Sequence, residues 1–308
     1  MIERSSTYMK PGFNRMAVVG VGLIGASISK ICKDKGIARE VVGIGRGIEN
    51  LKAAYKLGAV DRFTKDLKDG VSGADIVVLA TPVGSFESIA KDIALDLGRD
   101  TIVTDVGSVK GRLVFRLEEI LGRGIRFVGA HPIAGSEKTG ASCLSTDLFK
   151  GARCIITPTG STDREALEMV RMIWEEAGAR VLLLDPDTHD RILSVSSHLA
   201  HMVAYSLVNT LIDLSGDEGD VLSYTAGGFR DFTRIAGSSP EMWRDICLYN
   251  GKNIVTAIES FSKTMDRLKD FINDQDWDRL LKEFERAQGA RKMISDLNKN
   301  GSDAEPDC

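Results

Sequence analysis

Short runs of β-branched and other apolar residues alternate with amphipathic segments along the chain up to about residue 185. The first amphipathic segments are "LIGASISKICKDKG" (23–36) and "ENLKAAYKLG" (49–58), and Thr162 and Glu165 have the capping-box spacing that opens a later helix. This alternation predicts an α/β fold with a parallel sheet. The predicted strands are "RMAVVGVG" (15–22), "EVVGIG" (40–45), "ADIVVLATP" (74–82), "TIVTDVGS" (101–108), "IRFVGAHP" (125–132), "RCIITPTG" (153–160) and "ARVLLL" (179–184).

The pattern changes at "DPDTHD" (185–190), after which only helices are predicted. Asp185 is placed to cap a helix that has Pro186 at its first position. The segment 188–215 that follows is apolar almost all round, which predicts one long helix buried in a domain core or between subunits. We therefore expect three parts: an α/β domain over 14–185, an all-helical domain over 186–298 and a disordered tail over 299–308.

Composition narrows the class of protein. The 308 residues are 43% hydrophobic, and 40 Lys and Arg against 44 Asp and Glu give a net charge of −4 with both signs mixed. This balance argues against nucleic-acid and membrane-surface proteins, which usually carry a basic patch. No apolar run approaches the ~20 residues that span a bilayer, and the N-terminus lacks a signal peptide's apolar core. Five scattered cysteines without a C-x-x-C pair are typical of reduced thiols, so we expect a cytoplasmic protein.

The stretch "VVGVGLIGASIS" (18–29) matches G-x-G-x-x-G through Gly20, Gly22 and Gly25. It follows a predicted strand and opens a predicted helix, the context that a Rossmann-type dinucleotide-binding turn requires. The phosphates are expected at the helix N-terminus, where free N–H groups favour negative charge. Leu23 and Ile24 begin that helix, and Thr81 and Pro82 end a neighbouring strand, so these four residues are further candidates for cofactor contacts.

The end of the second strand bears on which cofactor is bound. A dinucleotide fingerprint expects Asp or Glu there, to bind the ribose hydroxyls, but this chain has Gly45, Arg46 and Gly47. An arginine pairs readily with a 2′-phosphate and no carboxylate repels it, so NADP⁺ is favoured over NAD⁺. Glu49 lies nearby, and NAD⁺ stays open.

Residues that can do chemistry follow several predicted strands, where open α/β sheets bind their ligands. Ser108 lies between Asp105 and Lys110 after one strand, and His131 ends another. A nicotinamide enzyme that oxidises a carbinol needs a base for the hydroxyl proton, and histidine suits that task near neutral pH. From this segment alone, a packing role for His131 is as well supported as catalysis.

The predicted long helix carries a polar stripe made of Ser194, His198, His201 and Tyr205. Polar groups on a buried face need partners, either in the protein or in a ligand. A metal site at His198 and His201 is one alternative, although no further ligand set accompanies the pair, and hydrogen bonding within a helix bundle is another. Arginines in the following segment are candidates for binding a carboxylate or for surface ion pairs: Arg230, Arg234 and Arg244.

Together these motifs resemble the prephenate/arogenate dehydrogenase family of tyrosine biosynthesis. The matching stretches are "VGLIGASI", "TDVGSVKG", "GAHPIAGSEKTG", "SHLAH" and "GGFRDFTRIAGSSPEMWRDI", in the family's order. The resemblance implies a Rossmann-type domain followed by a helical domain that forms a homodimer, with NAD(P)⁺ as cofactor. It also implies the oxidative decarboxylation of prephenate to 4-hydroxyphenylpyruvate, or alternatively an arogenate or dual-specificity cyclohexadienyl dehydrogenase.

The resemblance also implies roles for individual residues. His131 is expected to accept the proton of the ring hydroxyl, with Ser108 supporting that contact and Arg234 holding a substrate carboxylate. Trp243 matches a tryptophan near the site in relatives, expected to reach in from the partner subunit. The rest of the pocket is expected to be lined by Ser197, His198, His201 and Glu137.

Two rival functions remain at this stage. Another Rossmann-plus-helical oxidoreductase, such as a β-hydroxyacid dehydrogenase or an imine reductase, typically uses a lysine in its helical domain. A dinucleotide-sensing subunit would bind the cofactor without turnover, but it has no need of a proton acceptor beside the nicotinamide.

Overall fold

A computed structural model describes residues 12–135, 139–215 and 221–300 of the chain, with side chains as far as residue 296. The described chain forms two compact units, one up to Gly251 and one from Lys252 onward. The helix at the chain's end continues to Asn300, two residues into the predicted tail, whose other residues lie outside the described part. The predicted boundary near residue 185 separates sheet from helices, and as a domain boundary it stays a prediction.

Among the described residues the first unit contains a sheet of eight strands in the order β3-β2-β1-β4-β5-β6-β7-β8. The strands are β1 Phe13–Val19, β2 Ala38–Ile44, β3 Arg62–Thr64, β4 Ile76–Leu79, β5 Ile102–Asp105, β6 Arg126–Ile133, β7 Arg153–Thr157 and β8 Arg180–Leu183. The helices that accompany the sheet are α1 Leu23–Asp34, α2 Ile48–Lys56, α3 Leu67–Val71, α4 Phe86–Ile93, α5 Gly111–Leu121 and α6 Arg164–Glu176.

The direction of the strands departs from the prediction at one place. Six strands run parallel as expected, but β7 pairs antiparallel to β6, with His131 opposite Ile155, and β8 then follows β7 in parallel. Parallel neighbours usually need a crossover helix, and the described part of the β6–β7 connection holds only a short 3₁₀ turn, Ala141–Cys143. The sheet is therefore mostly parallel, as predicted, with one antiparallel pair at β6 and β7 that the pattern did not indicate.

The core of the sheet lies on both of its faces. Strands β4 and β5 are buried at every position, as is typical of central parallel strands covered on both sides by helices. On one face the indole of Trp174, from α6, meets the ring of Phe149 edge-on at 5.2 Å between centroids. The carboxyl ends of β1, β4, β5 and β6 in this sheet carry the candidate site.

Two predicted helix starts have different outcomes. Helix α7, Pro186–Leu193, begins as predicted, because the Asp185 carboxylate accepts hydrogen bonds from the N–H groups of Asp187 and Thr188 at 3.0 Å each. The predicted capping box is wrong: α6 is capped by Asp163, which accepts from the N–H of Ala166 at 2.8 Å. The hydroxyl of Thr162 instead accepts from Thr159 N–H, and Glu165 binds Arg126.

The predicted single helix over 188–215 is interrupted. After α7, the backbone of Ser194–His198 forms a π-helical turn, and α8 then runs over Leu199–Ser215. A π turn inserts an extra residue and rotates the side chains beyond it, and such turns often occur at functional sites. Ser194 and His198 are buried, whereas the intervening Val195 is 62% exposed. The wider turn thus directs His198 inward.

The remaining helices follow α8. Helix α9 covers Gly227–Thr233, α10 covers Pro240–Asn273 and α11 covers Trp277–Asn300. Helix α10 has non-helical backbone angles at Asn250 (φ −108°, ψ 19°), next to the point where the second unit begins. Within the second unit, Arg267 of α10 pairs with Glu283 of α11 at 3.3 Å. No helix in the described part of the chain is long and apolar enough to cross a membrane.

Candidate active site

The glycine turn has the backbone geometry of a dinucleotide site. Gly20 has φ +101°, and a Cβ there would lie 2.6 Å from the carbonyl carbon of Ala80. A Cβ on Gly25 would lie 2.0 Å from the carbonyl oxygen of Gly20, so α1 packs directly on the turn. A Cβ on Gly22 would meet nothing within 4 Å, and no side chain caps α1. The open surface at Gly22 and the uncapped helix start fit a bound pyrophosphate.

Other residues predicted to contact the cofactor surround this turn. Thr81 follows β4 beside Gly20, and its hydroxyl bonds the Ser85 hydroxyl at 2.7 Å. Asn50 ties the turn to the loop after β6, because its amide donates to Val21 O at 2.8 Å and accepts from Ala141 N–H at 2.7 Å. Leu23 and Ile24 are half-buried at the start of α1, Pro82 is exposed after Thr81, and Gly45 and Arg46 follow β2, with Arg46 exposed.

His131 is buried near the end of β6 and begins a chain of short hydrogen bonds. Its Nδ1 lies 2.8 Å from Nε2 of His189, in α7. The Nδ1 of His189 lies 2.8 Å from Oδ1 of Asp190, and the same carboxylate oxygen accepts from the N–H of Lys110 at 2.7 Å. The carbonyl of Asp190 accepts from Nδ2 of Asn250 at 2.8 Å. These bonds connect four parts of the fold: strand β6, the segment that follows β5, helix α7 and helix α10.

The two imidazoles in this series of hydrogen bonds, His131 and His189, are held in their neutral form. Burial lowers the pKa of His131 well below its ordinary value, and the neighbouring His189, Lys110 and His198 lower it further. Burial also lowers the pKa of His189, although its bond to Asp190 opposes the shift. A neutral imidazole has a lone pair for a proton, so His131 is in the protonation state that a general base requires.

A buried ion pair lies near His131, close enough for its lysine to lower the pKa of that histidine. The ammonium of Lys110 is 2.6 Å from Oδ2 of Asp105, and both side chains are 1% exposed. Lys110 also donates to the carbonyl of Gly107 at 2.7 Å, and Asp105 accepts from the N–H groups of Gly107 at 2.8 Å and Ala130 at 3.1 Å. The pair therefore shapes the segment from Asp105 to Lys110, which contains the half-buried Ser108, and ties it to β6.

The helical side of the site is built around His198 and His201. Nδ1 of His198 accepts from Nδ2 of Asn250 at 3.1 Å, its ring also bonds the backbone of Ser108, and burial lowers its pKa to about 4. His201 donates through Nδ1 to the carbonyl of Ser197 at 3.1 Å. Both rings are thus held by the protein, and among the described residues no three His, Cys, Asp or Glu side chains are grouped around a metal position.

Trp243 completes this side of the site from within the same chain. Its ring stacks on His201 at 3.8 Å between centroids and meets His198 edge-on at 5.8 Å. The contribution expected from a partner subunit is therefore not needed for these contacts. The indole nitrogen of Trp243 is buried and has no hydrogen-bond acceptor among the described residues.

The three candidate arginines are distinguished by their neighbours. Arg244 bonds Asp245 at 2.7 Å, and Arg230 reaches the carbonyl of Thr225 at 3.4 Å. Arg234, exposed at the end of α9, lies close enough to His201 to lower the pKa of that histidine. Of the three, Arg234 is therefore the arginine whose charge acts on His201.

Comparisons with known proteins decide the family. The sequence profile of the prephenate dehydrogenase nucleotide-binding domain matches residues 28–183, and that of the prephenate dehydrogenase dimerization domain matches residues 185–286. This chain belongs to the prephenate dehydrogenase family. The predicted family and the predicted order, a nucleotide-binding α/β domain followed by a helical dimerisation domain, are confirmed.

Individual relatives agree with the profiles. The chain is 35% identical to the prephenate dehydrogenase of Bacillus subtilis, covering 89% of this chain and 74% of that protein. It is 34% identical to the cyclohexadienyl dehydrogenase of Zymomonas mobilis, over 92% and 96%. The crystal structure of the Aquifex aeolicus prephenate dehydrogenase with hydroxyphenyl propionate and NAD⁺ is 41% identical with a TM-score of 0.86, over 91% and 98%. The predicted enzyme class, a nicotinamide-dependent prephenate (or arogenate) dehydrogenase, is confirmed.

The structure connects most of the site residues predicted for this family member. His131, Ser108, His198, His201 and Trp243 belong to one network of hydrogen bonds, ring contacts and electrostatic interactions. Ser197 contributes its carbonyl to that network, and Glu137 lies outside the described residues. The individual roles of these residues stay predictions.

Sequence reasoning missed His189, Asp190 and Asn250. A signal for His189 was present, since the chain has only four histidines and this one lies four residues after Asp185, in the first turn of the predicted helix. Asp190 and Asn250 carried no such signal, because a carboxylate and an amide on amphipathic helices are usually solvated.

Proposed function

We propose that the chain catalyses the oxidative decarboxylation of prephenate to 4-hydroxyphenylpyruvate, with His131 as the proton acceptor. The observation that carries this proposal is a buried, neutral imidazole at the end of β6 with Nδ1 engaged by His189, which leaves Nε2 to face a substrate. Hydroxyphenyl propionate, held by the Aquifex relative, is a phenol with a carboxylate side chain, as is the proposed product.

The residues have a limited amount of chemistry to perform. A nicotinamide dinucleotide bound at the glycine turn supplies the hydride acceptor. His131 takes the proton of the ring hydroxyl as hydride leaves the same carbon, and the ring becomes aromatic when its carboxylate departs as CO₂. His131 then returns the proton to the phenolate oxygen, so no net proton is consumed. The protein must also hold prephenate, a dianion, in position, and this orientation contributes to the rate.

Arg234 is proposed to bind a substrate carboxylate. We expect Arg234→Gln to raise KM for prephenate by about 10-fold or more, since losing a charged hydrogen bond costs about 1.5–3 kcal/mol, and to leave kcat within about 3-fold. Initial rates over a range of prephenate concentrations measure both constants. Arg230→Gln, in α9, is the matched control and should leave KM unchanged. Equal KM values for the Arg234 variant and the wild type would remove Arg234 from the pocket.

The cofactor is NAD(P)⁺, and we propose a preference for NADP⁺. The support is Arg46, which is exposed just beyond β2 and has no hydrogen bond or ion pair within the described part of the chain. We expect Arg46→Ala to lower the ratio of kcat/KM for NADP⁺ to that for NAD⁺ by about 10-fold, because the guanidinium pairs with the 2′-phosphate. Lys56→Ala, at the far end of α2, is the control. An unchanged ratio in the Arg46 variant would contradict the preference.

The test of the proposed reaction is an assay of cofactor reduction. Absorbance of the reduced nicotinamide is followed with prephenate and with arogenate, each with NAD⁺ and with NADP⁺. Reduction with prephenate supports the proposal, and comparable reduction with both substrates supports the cyclohexadienyl alternative, which the Zymomonas relative makes specific. Reduction with arogenate alone, or with neither substrate, would overturn it.

We further propose a homodimer formed through the helical domain. The match to the family's dimerization domain supports it, as does α8, which leaves Leu207, Ile212 and Leu214 between 38% and 74% exposed in the single chain. Obligate dimer interfaces typically bury apolar side chains of this kind. The cytoplasmic location stays a prediction from composition.

A further inference from the structure

We propose that His189 and Asp190 are positioning residues that hold His131 in the one neutral tautomer whose free nitrogen is Nε2. This inference rests on the proposed role of His131 as the proton acceptor. His189 bonds the His131 ring directly and Asp190 bonds His189, so the proposed effect of both residues on the proton acceptor passes through the His131 ring.

The tautomers of His131 and His189 follow from the Asp190 carboxylate, which in this series of hydrogen bonds can only accept. An ionised carboxylate has no proton to donate, so Nδ1 of His189 carries the hydrogen in its 2.8 Å bond to Asp190. Nε2 of a neutral His189 is then an acceptor, and Nδ1 of His131 donates to it across 2.8 Å. A neutral His131 with its hydrogen on Nδ1 has its lone pair on Nε2.

The carboxylate is itself held in one orientation. Its Oδ1 accepts from the N–H of Lys110 at 2.7 Å as well as from His189. Its Oδ2 faces Gly111, where an added Cβ would lie only 2.5 Å away. Asn250 fixes the backbone of Asp190 by donating to its carbonyl at 2.8 Å. Any side chain at position 111 would push the carboxylate out of line, which explains the glycine there.

The opposite arrangement of hydrogens is strongly disfavoured. With the hydrogen of His189 on Nε2, its bare Nδ1 would face the Asp190 carboxylate with no proton between them, in a place where His189 is fully buried. A buried acceptor without a donor costs free energy that water cannot recover. His131 would then carry its hydrogen on Nε2, and the lone pair needed for catalysis would point at His189.

The protein also places negative charge near the position where the imidazolium forms. The charged and titratable groups facing the two rings are Lys110, His198, Asp105 and Asp190, and of these Lys110 and His198 disfavour a proton on His131. Asp190, by hydrogen bond and charge, and Asp105, by charge, favour a proton on His189, 2.8 Å from His131, whereas Lys110 disfavours it. Because the two rings share a short hydrogen bond, the proton taken from substrate is stabilised on the pair and not on His131 alone.

The first test is spectroscopic and needs no cofactor or substrate. The chain has only four histidines, so ¹⁵N-imidazole NMR of the labelled enzyme gives few signals, which single His→Asn variants assign. We expect His131 and His189 to show protonated Nδ1 and bare Nε2 at neutral pH. In His189→Phe, we expect His131 to move toward the Nε2-protonated tautomer. A wild-type His131 protonated on Nε2, or a tautomer unchanged by His189→Phe, would overturn the proposal.

The second test separates the effect of the His131 tautomer on kcat from the effect of the Asp190 charge. His189→Phe removes the acceptor and is expected to lower kcat by about 10-fold or more, with KM within about 2-fold. In Asp190→Asn the amide oxygen still accepts from Lys110 and His189, so the tautomer is kept. Only the charge is lost, and the acid limb of the kcat profile moves to lower pH. Asp187→Asn, an exposed carboxylate on the same helix, is the control.

The outcomes distinguish this proposal from the proposed function. A wild-type enzyme that reduces no cofactor with prephenate or arogenate overturns the function, while the NMR tautomers still decide the positioning role. An active wild type with full kcat in His189→Phe and an unmoved acid limb in Asp190→Asn overturns the positioning role alone. If His189→Phe fails to fold, the wild-type spectrum and the Asp190→Asn profile remain decisive.

Discussion

His131→Asn is expected to lower kcat by about 10²–10⁴-fold, the range that a positioned general base contributes. Asparagine keeps a polar group of similar reach but has no lone pair that can hold a proton near neutral pH. KM for prephenate should stay within about 3-fold, because the carboxylates of the substrate are bound elsewhere, at Arg234 by our proposal. Steady-state kinetics with saturating cofactor measure both constants. Cys154→Ala, which alters the neighbouring β7 opposite Pro132, controls for local disturbance and should leave kcat unchanged.

The same assignment predicts the pH dependence of the wild type. The base works only when unprotonated, and burial with three positive or titratable neighbours lowers the pKa of His131 well below 6.5. The rate should therefore stay level as pH falls from 8 through 6.5, and decline only below that, with an apparent pKa that belongs to the His131–His189 pair. A normal kcat in His131→Asn, or a wild-type acid limb centred at or above pH 6.5, would contradict the assignment.

Parts of this fold that obey local rules could be predicted from the sequence. Gly20 is needed because the turn has positive φ and touches Ala80, and Gly25 because α1 packs on the turn, so their spacing between a predicted strand and a predicted helix identified the element. The start of α7 was predictable for the same reason, since Asp185 caps N–H groups two and three residues away. His131 was predicted because open α/β sheets bind their ligands at strand ends, although its hydrogen-bond partners were not predicted.

The parts that could not be predicted depend on contacts between distant residues. His131 and His189 are 58 residues apart, Lys110 and Asp190 are 80 apart, and Asn250 lies 60 residues beyond Asp190. No periodicity encodes such pairs. The π turn at Ser194–His198 was not predicted because the polar stripe that begins at Ser194 has the spacing of an ordinary α-helix, so the extra residue leaves no mark in the pattern. The antiparallel direction of β7 could not be predicted, because the residue composition of the loop between β6 and β7 does not indicate a strand direction.

Lys110→Met is expected to cost about 3–5 kcal/mol of unfolding free energy, the penalty for leaving one partner of a buried ion pair. The Asp105 carboxylate would keep its two backbone N–H donors but lose the ammonium at 2.6 Å, with 1% of its side chain exposed to water. Urea unfolding of the two proteins measures the difference. Because Lys110 also lowers the pKa of His131, removing it should move the acid limb of kcat to higher pH.

Two further variants test whether the charge, and not the loss of a long side chain, causes the effect. Asp105→Asn combined with Lys110→Met removes both charges and leaves an amide oxygen for one backbone N–H, so it should be more stable than Lys110→Met alone. Lys30→Met breaks a solvent-accessible pair with Asp34, one turn along α1, and should cost less than about 1 kcal/mol. If the double variant were no more stable than the single one, packing of the lysine stem and its bonds to the Gly107 and Val109 carbonyls would account for the loss. A Lys110→Met enzyme as stable as the wild type would contradict the expected penalty.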